Sequence, residues 1–329
     1  MEQLAQMKFG WDVTELPEYT NEEKMEMLRR QVLTGNTLDI ISIQEGVKHK
    51  EPIKTFDTDV EWATGDGCGF NPSGDTSFTD REIAVSNIKL EKSFCNLDLL
   101  DKWTQKALRA GSIAELEEFP FQDAVTAHLL EKNARELEKA VWRGDASLTS
   151  GNLQFFDGFE ELFSDNSASM IDINTNSDTA FTAANAYDII FNAFMDMDAD
   201  ENGQAVLEGE GEARPVAFVT RTQFNLLIKN ITDENKFHFD TTEATAGGEF
   251  ILPGTDLRIV KVNGRTDNSK FYIANPVHMV FGTDLETDPG QVKIWYNEDE
   301  EEIRARIRFK AGVQVAFLNT IGYWEAAAS

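Results

Sequence analysis

The sharpest local motif in this chain is Asp198-Ala-Asp200-Glu-Asn202-Gly203. Oxygen ligands at every second position, then glycine at the sixth, fit the first half of a calcium loop. Hard cations take oxygen donors, and glycine permits the sharp turn. The second half departs from that pattern. The twelfth position is Gly209, flanked by Glu208 and Glu210, and no second such loop follows. In a chain with 58 Asp and Glu residues, a solvated acidic loop over Asp196–Ala213 is the stronger expectation. Asp198, Asp200 and Asn202 stand as a secondary metal candidate, and no cofactor is expected.

Gly65-Asp-Gly67-Cys-Gly69 is glycine-rich but lacks the Gly-Lys-Ser/Thr of a phosphate loop, and Pro72 breaks a dinucleotide fingerprint. A hairpin tip is the better reading. No nucleophile elbow and no paired-histidine zinc helix occurs in the sequence. Cys68 and Cys95 could pair across a hairpin, but two unpaired thiols are the stronger expectation, and with His49, His128, His238 and His278 they give no zinc spacing. No catalytic residue is therefore assigned.

A charged run is more informative. Glu298-Asp-Glu-Glu-Glu302 precedes Arg304, Arg306, Arg308 and Lys310, which alternate with Ile303, Ala305, Ile307 and Phe309. On a strand the four bases share one face. Its plain reading is a solvated side of an amphipathic strand. Its functional reading is a basic stripe that receives carboxylates from a neighbouring subunit, and a DNA-contacting stripe is a third. The net charge of 30 − 58 = −28 would make identical copies repel one another without such local complementarity.

These residues need elements to position them. From Asp59 to Trp103 a turn-rich arm passes into an extended stretch. There Ile83 and Val85, then Ile88 and Leu90, alternate with polar neighbours. The alternation slips by one residue near Asn87, which a β-bulge would explain. Such an arm buries little of its own surface, so it is expected to lie on another chain or domain. Phe121–Arg143 carries a 3.6-residue apolar period, follows Pro120 and stops at Gly144. At 1.5 Å per residue this helix would be roughly 35 Å long.

Further helices are expected over Glu22–Leu33, Asp98–Arg109 and Thr182–Met195, and over Gln223–Ile231 with Thr220 as cap. Short extended pieces are expected at Leu38–Val47 and Ile53–Val60. The rest reads mostly as strand: Pro215–Val219, Phe250–Leu252, Leu257–Val262, Phe271–Ala274, His278–Phe281, Val292–Tyr296, Ile303–Phe309 and Val313–Leu318. The fold class is α+β. Hydrophobic residues make up 41% of 329, enough for a substantial core. The acidity opposes general nucleic-acid binding. No apolar run approaches the ~18 residues of a membrane span, and the first residues lack the pattern of a signal peptide.

In this order of elements the chain resembles the major capsid proteins of tailed bacteriophages, the Hong Kong 97-type fold. GCGFNPSGDTSFTDREIAVSNIKLEKSFC is most similar to capsid proteins of Bacteroidetes-infecting, crAss-like phages, and RFKAGVQVAFLNTIGYW resembles the family's closing strands. The resemblance implies an N-terminal arm (1–54), an extended hairpin loop (55–97) and a peripheral domain with its spine helix (98–176). An axial domain (177–275) and strands returning to the peripheral domain (276–329) follow. It implies a subunit that assembles with itself as pentamers and hexamers around double-stranded DNA, in a virion built in the host cytoplasm. Scaffold, portal and decoration proteins are further partners, and no membrane is involved. Interface candidates are Gly65, Gly67, Gly69, Phe70, Phe78, Arg81, Lys89 and Lys92 on the hairpin, with Arg304, Arg306 and Arg308. Lys89 and Lys92 find no matching acceptor motif, so covalent cross-linking is not expected. The alternative is another virion component, such as a tail tube or head-completion protein, or a nanocompartment shell.

Overall fold

The computed structural model describes residues 37–58, 61–62, 74, 76–95, 121–209, 213–234, 249–284, 292–297, 299–300 and 302–327. The expected helices at Glu22–Leu33 and Asp98–Arg109, the tip glycines Gly65, Gly67 and Gly69, Phe70 and Cys68 lie outside these residues.

Two sheets share one core. The six-stranded sheet has the order β5-β13-β9-β6-β8-β7. Its strands are β5 Ile171–Asp172, β13 Gly322–Glu325, β9 Lys270–Ala274, β6 Val216–Thr220, β8 Arg258–Val262 and β7 Glu249–Ile251. Alternate residues on a strand point to opposite faces. Accordingly Val216, Phe218, Val260, Val262, Tyr272 and Ala274 enter a first core. Ala217, Val219, Ile259, Phe271, Ile273 and Trp324 enter a second. The first core also holds residues of helix α1, Phe121–Arg143, and helix α2, Phe159–Asp165. The second packs against helices α3, Ala186–Asp198, and α5, Arg221–Asp233. This sheet is therefore covered on both faces, as its continuous apolar strands require.

The α1 span coincides with the expected helix, and it stops where the expectation placed the stop. A Cβ on Gly144 would sit 2.3 Å from the Phe156 carbonyl, so only glycine lets the chain turn there. Thr220 caps α5 through a complete capping box with Gln223, each side chain meeting the other's backbone N–H.

The other sheet is built on the long strand β12, Glu302–Val315. It pairs with β11 Val292–Asn297, with β10 Met279–Gly282 and with β4 Ser86–Cys95. Strand β1, Ser42–Gln44, joins β10 in parallel. Two strands were expected at 303–309 and 313–318. They are one strand, because Gly312 marks a close crossing and not a break. A Cβ there would lie 2.0 Å from the Ala84 carbonyl oxygen. Only three residues of the expected 38–47 piece are strand, since Thr37–Ile40 forms a turn.

The remaining pair is a two-stranded ribbon of β2, Lys50–Thr58, and β3, Thr76–Ala84. The slip in alternation near Asn87 is not a bulge within one strand. The chain leaves the ribbon at Ala84, passes Val85, and enters the long sheet as β4. Val85 donates its N–H to the His49 carbonyl, and Ile83, Val85, Val47 and Val280 form a small core at this crossing. The return strand thus does not await another chain, because ten of its residues pair with β12.

Candidate assembly surfaces

The distal ribbon is underpacked. Phe56 and Phe78 stand directly opposite one another, with ring centroids 5.0 Å apart. They remain 59% and 78% exposed, and Trp62 beyond them is 95% exposed. Cross-strand aromatic contact contributes about 0.2–1 kcal/mol. Fully burying each ring would add about 1.5–3 kcal/mol that the isolated chain does not collect. Nearer the root, Arg81 donates to Gln314 at 3.2 Å, and Lys50 pairs with Glu82 at 3.0 Å. Arg81 therefore ties the ribbon to β12 within the chain. From Phe56 to Asp80 there are six carboxylates and no Lys or Arg.

The basic stripe lies along β12, whose other face buries Ala305, Ile307, Phe309 and Ala311. Arg304 pairs with Glu300 and approaches Glu302 at 3.8 Å. Arg306 meets Glu91 at 2.8 Å, and its guanidinium lies 5.2 Å over the Trp295 ring. Lys310 reaches Asp284 at 2.6 Å and the Lys48 carbonyl at 2.8 Å. Arg308 is different. It is exposed, it carries no ion pair among the described residues, and it faces Lys89 across the strand pair. Lys89 is drawn to Glu91 at 2.8 Å. The Lys89 hydrogen bond first, and Arg306 after it, hold the Glu91 carboxyl below the ordinary range. Lys92 is exposed near the end of β4, opposite Ala305.

The calcium-like motif is used in another way. Asp198 ends α3, and Asp200 is the cap of a further helix, α4, Glu201–Leu207. The expected loop over 196–213 therefore contains two turns of helix. Asp200 Oδ1 accepts from the Asn202 and Gly203 backbone N–H groups at 2.9 and 3.2 Å. Asn202 Oδ1 accepts from Asn319 Nδ2 at 3.3 Å. A Cβ on Gly203 would fall 2.0 Å from the Met197 carbonyl, so close helix approach accounts for this glycine. Asp172 and Asp196 line the same open depression, each accepting a local donor, from Asn174 and Thr175. Among the described residues no three His, Cys, Asp or Glu side chains are grouped to hold a metal ion.

Two polar centres inside the molecule leave no signal in the sequence. Arg265 is buried, with Nε 2.6 Å from Glu160 Oε1 and further bonds to the Phe218 and Lys270 carbonyls. Its guanidinium lies over the rings of Tyr272 at 4.7 Å and Trp142 at 5.4 Å. Glu138 is buried on α1 against Thr37. In sequence each is one more charged residue in a solvated-looking stretch.

No protein-family model and no curated protein matches the chain. Solved structures do. The satellite phage P4 procapsid that includes the size determination protein Sid aligns over 94% of this chain and 99% of its own, with TM-score 0.57 at 12% identity. A protein of Microbacterium phage Oxtober96 aligns over 89% and 90%, with TM-score 0.54 at 15% identity. The capsid of Myoviridae phage XM1 aligns over 89% and 90%, with TM-score 0.52 at 14% identity.

The fold is the Hong Kong 97-type capsid fold.

At these identities the likeness is one of architecture. The capsid fold here places the aromatic ribbon and the Arg308–Lys89 face on opposite sides of the crossing at Val85, both carried by strands running out from it.

Proposed function

We propose that this chain is a structural subunit of an icosahedral phage capsid. It assembles with itself as pentamers and hexamers and encloses double-stranded DNA without reading its sequence. The observation that carries this reading is the extent of the match to capsid structures, which takes in nearly the whole length of both chains. A shared domain alone would not run through ribbon, α1 and both sheets. The role is structural and not catalytic. The particle is a virion built in the host cytoplasm, with scaffold, portal and decoration proteins as further partners. The segment from Gly67 to Cys95 supports kinship with phages of Bacteroidetes of the crAss-like kind.

Within that role, the ribbon and the loop through Gly65, Gly67, Gly69 and Phe70 lie over a neighbouring subunit, where Phe56 and Phe78 are covered. Arg304, Arg306 and Arg308, with Lys89, form the basic surface that receives carboxylates of another copy, and Lys92, paired with Ala305, is a separate contact on the other face of β4. Arg308 has no ion pair with its own chain among the described residues. Double-stranded DNA needs confinement here and not tight binding, so a net charge of −28 is compatible with packaging.

The test is negative-stain electron microscopy of the purified chain with light scattering on the same sample. Closed shells, or rings of five or six, are expected, alone or with a co-expressed scaffold. Stacked tubes, or a monomer that no scaffold partner rescues, would overturn the reading.

A further inference from the structure

Glu138 faces inward on α1 with 5% of its surface exposed. Its Oε1 accepts the Thr37 hydroxyl at 2.5 Å and the Thr37 backbone N–H at 3.3 Å. The Thr37 oxygen in turn accepts the Trp142 indole N–H at 2.7 Å. Thr37 is fully buried, and its carbonyl takes the N–H groups of Ile40 and Ile41 at 3.0 and 3.1 Å. Leu38 and Ile41 enter the first core beside it. The turn that joins residues 1–36 to the body of the protein is therefore pinned to α1 at a carboxyl group.

That carboxyl is poorly placed to carry charge. Among the described residues its Oε2 has no partner. An unpaired buried charge is far costlier than the neutral acid. The groups around it do not compensate. Asp39, on the pinned turn, adds a negative charge. Lys139, next on α1, is drawn to Glu136 at 2.6 Å. On the β8–β9 connection, the Gly264 backbone abuts the Glu138 carbonyl, and Arg265 lies across the Trp142 ring, engaged with Glu160. Burial first, with Asp39 adding to it, pushes the Glu138 carboxyl above its ordinary range, against the two Thr37 hydrogen bonds.

We propose that Glu138 is a protonation-gated anchor for the N-terminal segment: the neutral acid holds the Thr37 turn on α1, and loss of its proton frees the turn. The anchor is a property of the single chain and does not rest on the capsid reading. When the turn opens, Glu138 meets water and regains an ordinary carboxyl. The opening equilibrium is then flat below the ordinary value, where both states hold the proton. It rises about tenfold per pH unit between the ordinary and raised values, and levels off above the raised one. The anchor is thus strongest in acid and is lost as pH rises.

The measurement is amide hydrogen exchange of Ile40 and Ile41 in the full chain over roughly pH 4 to 8, corrected for intrinsic rates and referenced to the β6 amides. The wild type is expected to lose protection at about tenfold per unit inside the window. Glu138→Gln, an isostere of the neutral acid, is expected to lose most of that slope, keeping only the part that Asp39, itself raised by burial, contributes. A flat wild type, or the same slope in both proteins, would overturn the anchor. Asp39→Asn supplies a second reading, since Asp39 is exposed and its change leaves the core alone. Its plateau should begin at lower pH, and an unmoved plateau would also count against the anchor.

Discussion

The six-stranded sheet and the β2–β3 ribbon are both β-structure, yet they satisfy opposite requirements. All five residues of β6 are buried, with Phe218 in one core and Ala217 and Val219 in the other. The ribbon pairs its backbone over nine residue pairs but leaves Phe56 and Phe78 in water. A two-stranded pair without a packed face is marginal on its own. Backbone pairing fixes the ribbon's register, whereas its burial remains to be supplied by something else. The sheet region therefore sets whether the chain folds, and the ribbon carries exposed apolar surface that folding leaves uncovered.

The largest expected effect falls on the sheet side. Trp142→Ala removes a fully buried ring that contacts Phe159 and Phe218, and should cost about 3–5 kcal/mol, read as a fall in thermal midpoint of the subunit. A loss below about 1 kcal/mol would blur the distinction between the regions. On the ribbon side, Phe56→Ser with Phe78→Ser should change subunit stability by under about 1 kcal/mol, the worth of one cross-strand pair. The same variant should form far fewer closed shells, counted by electron microscopy. Normal shells would remove the ribbon from the interface.

The smallest effect on folding is expected at Arg308. Arg308→Glu replaces a like charge opposite Lys89 with an opposite one, so the isolated subunit should gain up to about 1 kcal/mol. Assembly should nevertheless weaken, and most at low salt, where surface charge is least screened. A variant that is less stable yet assembles normally would assign the stripe to the chain's own packing.

Much of the folding side was legible in the sequence, for reasons that differ by element. The α1 limits follow from apolar periodicity and a glycine that no other residue can replace. The Thr220–Gln223 cap is local chemistry, and local chemistry can be read without the rest of the chain. The stripe follows from strict alternation over Ile303–Lys310. What escaped was non-local. A one-residue slip in alternation looks the same whether a strand bulges or changes sheets, so the sequence alone suggests a bulge where the chain crosses at Val85. Asp-x-Asp-x-Asn-Gly suits a cation loop and a helix cap alike, because both use an aspartate oxygen at a sharp turn. The continuity of β12 through Gly312 is hidden too, since the strand that crosses it there lies more than two hundred residues away. The pairing of Phe56 with Phe78 depends on a register that neither strand specifies alone.

At the crossing, a Cβ on Gly312 would strike the Ala84 carbonyl, and one on Gly282 would come within 2.7 Å of Ile83 Cδ1. Saturation libraries at these two positions and at Phe56 and Phe78 should therefore separate under two kinds of selection. Screened for soluble expression, position 312 should return almost only glycine and position 282 only small residues, while 56 and 78 return nearly anything. Screened for infectious particles, all four should narrow. The root of the arm would then be constrained by the history of the monomer, and its far end by the history of the particle.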